Sequence, residues 1–399
     1  MSAPLSADAE RTGEPFELYS TAIDADPFPF YRTLRDRHPC YWSPSGRLWI
    51  LSRYDDVARA AQDWETFSSA RGNLIDEIPG RSGGTLGTTD PPRHDRLRVL
   101  AQVAFTRRNL EHLVAPTVAM ADEAAARVRA QGAFDFVADV SSPLTVGMIF
   151  RMLGLPPTDA VAMRRQVVLS ISTDKARRGR NAALDAAFRD LGQFVADEVA
   201  KRRKTPTDDV ITQLAEAEID GDRLSDREVV LTTAMFVVAG VESLSSFMSI
   251  FALNLADFPD ARRRIVNEPS LLPQAIEESL RFNTSAQRFK RVLTRDVALH
   301  GETMREGDAV ALAYGAANRD ERKFPDADRY DIDRRPIGHL GFGAGKHFCI
   351  GSQLARLVTG TAMRRFLAEV PEFTLRNRDF DWVPSSNFRS PISLPFVVG

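Results

Sequence analysis

Cys349 sits in the stretch Gly341-Phe342-Gly343-Ala344-Gly345-Lys346-His347-Phe348-Cys349-Ile350-Gly351, a glycine-rich loop that delivers one thiol to the start of an apolar helical segment. Glycines let backbone N–H groups turn toward the sulfur without Cβ clashes, and the helix that follows adds the positive end of its dipole. Both effects favour an ionised thiolate, the form that binds a metal. Gly351 leaves room for a flat cofactor to lie close. The bland alternative is an inert buried cysteine beside a tight turn.

Three further constellations carry chemical potential. Glu278-Ser279-Leu280-Arg281 lies in a segment, Leu272 to Phe282, that reads as a helix, so its carboxylate and guanidinium share one face at i and i+3. Ala239-Gly240-Val241-Glu242-Ser243 places an acid beside an alcohol in a long apolar segment. That segment opens on the capping box Ser225-Asp226-Arg227-Glu228 and runs to about Asp257. Asp90-Pro91-Pro92-Arg93-His94-Asp95-Arg96-Leu97-Arg98 reads as a helix start, with Asp90 as N-cap, prolines in the first turn, and His94 and Arg98 one turn apart. Neither His94 nor His347 has a second histidine or a carboxylate at zinc-like spacing.

Phe342, Gly345, Cys349 and Gly351, taken with Glu278 and Arg281 upstream, resemble the signatures of the heme-thiolate monooxygenases, the cytochrome P450 superfamily, in its soluble bacterial form. The resemblance implies a mainly α fold with small β-sheets (α+β), holding heme b between a distal I-type helix and a proximal L-type helix. It makes Cys349 the iron ligand, with Phe342 packed beside the sulfur and Gly343 and Gly351 against the cofactor. His94, Arg98, Arg291 and His347 fall at propionate positions. Gly240 is expected to weaken the distal helix and open a groove for dioxygen. Glu242 and Ser243 are expected to relay protons, serine standing where the family usually has threonine. Glu278 and Arg281 are expected to form a structural triad with Arg329 of Phe324-Pro325-Asp326-Ala327-Asp328-Arg329-Tyr330-Asp331.

By the same resemblance Val238, Val241, Leu244, Ser285, Gln287 and Phe289 line the substrate pocket. The implied reaction inserts one oxygen atom of O2 into a C–H bond of a small organic molecule. Electrons come from NAD(P)H through a ferredoxin and its reductase. Tyr314-Gly315-Ala316-Ala317-Asn318-Arg319-Asp320 and Arg335-Pro336-Ile337-Gly338-His339-Leu340 lean toward members that O-demethylate methoxylated aromatics. Hydroxylation of a terpenoid, fatty acid or natural-product intermediate, a peroxide-driven reaction, and ligand binding without oxygenation stay open.

The chain has 399 residues, enough for two or three domains, yet no Pro- or Ser-rich linker, repeat or low-complexity tract divides it. The expectation is one domain over residues 15–399 behind a flexible polar segment, 1–14. That segment has no apolar stretch, and no run of about 18 apolar residues follows. A cytoplasmic, soluble, monomeric protein without a membrane span is expected. Gly80-Arg81-Ser82-Gly83-Gly84-Thr85-Leu86-Gly87 reads as a mobile loop covering the substrate. Two cysteines give no disulfide framework, and Cys40 reads as a packing residue. A net charge of −2 offers no support for nucleic-acid binding. Arg93, Arg96, Arg107, Arg108, Lys346 and Arg356 are candidates for a cationic face that steers an acidic ferredoxin, or for an ordinary solvated face.

Overall fold

The computed structural model describes residues 15–399, so the expected flexible segment 1–14 lies outside the described residues. Eight principal helices carry the architecture: α1 (Arg93–Ala101), α2 (Val114–Gln131), α3 (Ser142–Leu153), α4 (Ala160–Ile171), α5 (Ala182–Lys204), α6 (Asp226–Asp257), α7 (Leu272–Phe282) and α8 (Ser352–Glu369). Small sheets flank them. The largest has five strands, β1 (Cys40–Ser43), β2 (Leu48–Leu51), β3 (Phe67–Ser68), β4 (Phe289–Leu293) and β5 (Ala309–Leu312), in the order β1-β2-β5-β4-β3, with only the β2–β5 pair parallel. The mainly α expectation with small sheets holds.

α6 starts where its sequence says it must. Ser225 accepts from Glu228 N–H while the Glu228 carboxylate accepts from Ser225 N–H, the predicted capping box, and the helix runs on to Asp257. At 1.5 Å per residue its 32 residues span roughly 50 Å. It packs on α3 and α5, and α8 packs along α2. A serine zipper ties α6 to the turn before α3: Ser141 Oγ lies 2.9 Å from Ser245 Oγ and 3.0 Å from Ser249 Oγ. The segments Phe136–Leu153 and Asp226–Asp257 are long and apolar enough to cross a membrane, but 72% and 78% of their apolar windows are buried inside the protein, where they form its core.

Two expectations about local structure are corrected. Asp90 does not cap α1; its carboxylate accepts from Ser69 N–H at 2.9 Å and Ser68 Oγ at 2.5 Å, pinning β3 to the helix approach, and Pro92 occupies the cap position. α6 is continuous through Gly240 rather than opened there. A Cβ on Gly240 would come within 2.4 Å of Ile149 Cδ1, so α3 packs closely against the helix here and a larger residue would force the Ile149 side chain to move.

The buried pair Glu278–Arg281 forms as expected, both side chains fully inaccessible, with Nη2–Oε1 2.7 Å and Nε–Oε2 2.8 Å. Arg281 also donates to the carbonyls of Asn318, Ala327 and Arg329, and Asp331 N–H donates to Glu278. The third side chain is not Arg329, whose guanidinium is 71% exposed and only 4.0 Å from Asp331. Arg334 takes that place, its Nε 3.4 Å from Glu278 Oε1 and its other nitrogens donating to Pro325 O and Asp326 O. Tyr330, where the family pattern has phenylalanine, keeps its ring stacked on Phe258 and places its hydroxyl 2.8 Å from Ser279 Oγ.

The difference between the two arginines is measurable. Arg329→Ala is expected to change unfolding free energy by less than about 0.5 kcal/mol, and Arg334→Ala to cost about 1–3 kcal/mol, because it strips a buried carboxylate of a partner. Urea unfolding of both variants checks this, and equal costs would return the role to Arg329.

Candidate active site

The cysteine loop is held by its backbone. Cys349 N–H donates to Phe342 O at 2.9 Å, closing the loop on itself, and α8 begins three residues later at Ser352. Gly345 has φ +66°, and a Cβ there would meet the Ala61 carbonyl at 2.5 Å, so the loop packs on the helix Tyr54–Gln62 in a way that only glycine permits. The Arg356 guanidinium lies 4.6 Å over the Phe342 ring and is clamped by both oxygens of Glu277 at 2.6 and 2.8 Å. This links α7, α8 and the loop into one rigid support.

A cavity of about 350 Å³ separates this loop from α6. Cys349, Phe342, Gly343, His347 and Gly351 form its proximal wall, and Gly240, Ser243, Val238 and Leu244 its distal wall. His94 and Arg98 arrive from α1 one turn apart. Arg291 and Phe289 arrive from alternate positions of β4, as the two-residue period of a strand requires. Ser285 lies in the same wall. The sequence therefore brought most of its candidates to one place.

Three candidates are not there. Glu242 is 1% exposed and off the cavity, on a different side of α6 from Ser243. Its Oε2 lies 3.3 Å from Arg164 Nε of α4, and its Oε1 2.8 Å from Ser246 Oγ, which in turn lies 2.7 Å from Ser390 Oγ. Successive helical residues point about 100° apart, so an acid next to the alcohol in sequence cannot share its face. Val241 is in the core behind the wall. Gln287 is spent on structure, accepting from Tyr31 Oη at 3.0 Å and donating to Thr284 O. Arg81, Thr85, Leu86 and Gly87 of the glycine-rich loop line the cavity as expected, and so do Asn73 and Phe388, which no local pattern marked.

The electrostatics of the wall call for an anion. Arg98 donates to Lys346 O and Arg291 to Lys290 O, and neither guanidinium has a carboxylate partner among the described residues. His94 and His347 rings stand 4.7 Å apart, and the Nε2 atom of each is buried without a hydrogen-bond partner. Burial, then Arg291, His94 and Arg98, push His347 down to about 2. Burial likewise lowers His94, against its hydrogen bond to the Asp95 carboxylate. Cations and unsatisfied imidazoles around one rim fit the two propionates of a heme.

The thiol departs from the sequence expectation. Burial raises Cys349 more than the Gly351 N–H and the fields of Arg98 and Arg356 lower it, so the loop alone does not ionise the sulfur. A metal cation at the sulfur supplies the missing stabilisation, since a coordinating thiol is deprotonated outright. Among the described residues no three His, Cys, Asp or Glu side chains gather to hold a metal ion by themselves.

The expected cationic face is largely neutralised. Lys346 pairs with Asp95, Arg96 with Asp222 and Glu228, Arg107 with Glu111, Arg108 with Asp208 and Arg356 with Glu277. Arg93 lies 3.6 Å from Glu228.

A single thiol on one wall, an anion-seeking rim and, on the facing helix, Ser243 as the one α6 hydroxyl in the lining define the heme-thiolate oxygenase class. The comparisons with known proteins agree: the cytochrome P450 family profile matches residues 28–380, and the chain belongs to that family. It is 35% identical to mycinamicin IV hydroxylase/epoxidase of Micromonospora griseorubida, over 88% of this chain and 89% of the relative. It is 33% identical to cyclomarin C epoxidase CymV of Salinispora arenicola, over 91% and 93% of the two. The crystal structure of CYP109Q5 from Chondromyces apiculatus superposes with TM-score 0.85 at 29% identity, covering 96% of this chain and 98% of that one. The protein is thus a cytochrome P450 monooxygenase that uses heme and O2, with electrons delivered by redox partners.

The Glu277 clamp has a pH signature. Burial would raise its carboxyl, but hydrogen bonds from Arg356 and His339 overcome this and hold it down at about 2. A depressed carboxylate contributes stability that is full above its unfolded pKa near 4.5 and is lost as pH falls toward 2. Glu277→Gln is expected to cost roughly 1–2 kcal/mol at pH 7, discounted for partial exposure, and progressively less below pH 4.5. A cost that stays constant between pH 7 and pH 3 would show that the clamp is not ionic.

Proposed function

We propose that Cys349 is the axial heme ligand and that this monooxygenase hydroxylates or epoxidises a large, neutral, mainly apolar natural-product skeleton. The observation that carries the substrate class is the distal half of the cavity. Its walls are Leu74, Ile78, Ile149, Leu231, Phe289 and Phe388 with their aliphatic neighbours. Walls of this kind reward area, about 25 cal/mol per Å² of apolar surface removed from water, rather than charge. Two relatives are named as oxidising natural products, a mycinamicin IV hydroxylase/epoxidase and a cyclomarin C epoxidase, which supports the natural-product part of this reading. O-demethylation of a methoxylated aromatic is the second reading; Ser285 offers the hydroxyl such a substrate would use.

The roles follow from position. Bound heme supplies the oxidising chemistry, activating O2 at an iron made electron-rich by a thiolate. Phe342, stacked under Arg356, shields the sulfur from water, which protects it from oxidation. His94, Arg98, Arg291 and His347 hold the propionates, and Gly343 and Gly351 leave the ring its room. Ser243 Oγ, without a hydrogen-bond partner among the described residues, donates a proton at the oxygen-binding face. Glu242, locked behind the helix by Arg164 and Ser246, acts as the buried acid that refills that route through a side-chain swing. Electrons pass from NAD(P)H by way of a ferredoxin and its reductase in the cytoplasm.

Two experiments test this. Spin-state titration of the purified enzyme is expected to show macrolactones or steroids binding at least about tenfold tighter than 4-methoxybenzoate or methoxyphenols; the reverse order would favour demethylation. A red-shifted Soret band of the reduced carbon monoxide complex, lost in Cys349→His, tests the ligand.

Ser243→Ala is expected to raise the hydrogen peroxide released per NAD(P)H consumed several-fold while heme content stays unchanged. Identical coupling would remove Ser243 from proton delivery.

A further inference from the structure

We infer that Asn73 and Arg81 form a preorganised anchor for an uncharged hydrogen-bond-accepting oxygen, a ketone or lactone carbonyl, on the otherwise apolar substrate. This deepens the substrate reading above and rests on it. Both residues line the cavity, in the segment between β3 and α1. Arg81 donates Nε to Glu77 Oε1 at 2.7 Å, and Nη2 to Glu77 Oε2 at 2.9 Å and Asn73 Oδ1 at 2.6 Å. Glu77 is itself held by Leu74 N–H at 3.1 Å. Asn73 Oδ1 and both Glu77 carboxylate oxygens therefore each accept at least one hydrogen bond. What is left over are donors: Arg81 Nη1 and Asn73 Nδ2 have no hydrogen-bond partner among the described residues. Asn73 Nδ2 lies beside Gly87, another wall residue, where a Cβ would come within 3.0 Å of it.

The local charge decides between an anion and a neutral oxygen. Arg81 is matched by a two-point pair with Glu77, and the neighbouring Lys290, which feels both Glu77 and Asp76, adds one cation against one further carboxylate. Two cations against two carboxylates leave no net field for an anionic headgroup, while fixed N–H donors still favour a carbonyl lone pair. Because the donors are locked by their own partners, a ligand pays little entropy to meet them. An apolar molecule lacking the oxygen would leave those donors unsatisfied, which is the basis of discrimination by polar groups.

The test compares cyclopentadecanone, cyclopentadecane and hexadecanoate by spin-state titration of heme-loaded wild type, Asn73→Asp and Asn73→Leu, each variant first checked for its reduced carbon monoxide spectrum. Wild type is expected to bind the ketone about tenfold tighter than the cycloalkane, the value of one satisfied hydrogen bond. Both variants keep the Arg81 donor and lose that of Asn73, so each is expected to cut the ketone-over-cycloalkane ratio at least about threefold, read as a ratio within each variant; if one fails to fold, the other carries the comparison. Equal wild-type affinities, or a preference undiminished in the variants, overturns the anchor but not the apolar-substrate reading. Hexadecanoate binding tighter than the ketone overturns the neutral-oxygen assignment. If neither ring binds wild type, the substrate reading falls and the anchor with it.

Discussion

The fully buried Glu278–Arg281 pair is the constraint on which the rest of the proximal side depends. Two charges removed from water cost several kcal/mol each unless they are well paired and hydrogen-bonded, and here Arg281 donates to Glu278 and three carbonyls, while Glu278 also accepts from Asp331 N–H and lies 3.4 Å from Arg334. Those partners come from separate stretches of chain, so the pair can be satisfied only when α7, the Asn318 turn and the 324–334 segment have all arrived. Asn318 then receives Leu340 N–H at 2.6 Å, one residue before the cysteine loop begins. The polar network thus fixes where the thiol sits, although it touches neither the thiol nor the cavity.

The cavity itself is built at the expense of its own electrostatic comfort. His347 and His94 are held neutral in a ring of cations, their Nε2 atoms unsatisfied, and burial keeps the Cys349 thiol protonated. Each of these is a local conflict in the chain by itself, and each is removed by the same partner, a dianionic macrocycle with a metal at its centre. Local rules broken in concert around one cavity are what a functional site looks like, because only the ligand makes them consistent.

The parts of this arrangement that were legible in the sequence are those fixed by local geometry. The Ser225–Glu228 capping box sets the start of α6, the i, i+3 spacing sets the Glu278–Arg281 pair, and the glycines bracket Cys349. What was not legible depended on which way a side chain turns at long range. Arg329 and Arg334 lie five positions apart in one irregular segment, and only the packed chain decides that the second reaches Glu278. Glu242 and Ser243 are neighbours in sequence but point to different sides of α6, a distinction that depends on knowing which face meets the cavity. Asn73 belongs to a stretch with no period at all, so its place in the wall follows from the fold alone, whereas Arg81 lies in the glycine-rich loop whose position over the cavity was legible.

The same division explains how one scaffold can serve many substrates. Groups that handle the heme come from α1, β4, α6 and the cysteine loop, elements locked by buried hydrogen bonds and ion pairs. Groups that meet the substrate come mainly from apolar side chains, together with the segment between β3 and α1. Exchanging an apolar wall residue costs packing energy of about 1–3 kcal/mol and leaves the polar network untouched. Exchanging a member of the Glu278–Arg281 network leaves a buried charge unpaired and costs about 3–5 kcal/mol. Stability therefore restrains change at the proximal side far more than at the distal wall, and substrate choice is free to drift where the chemistry is not.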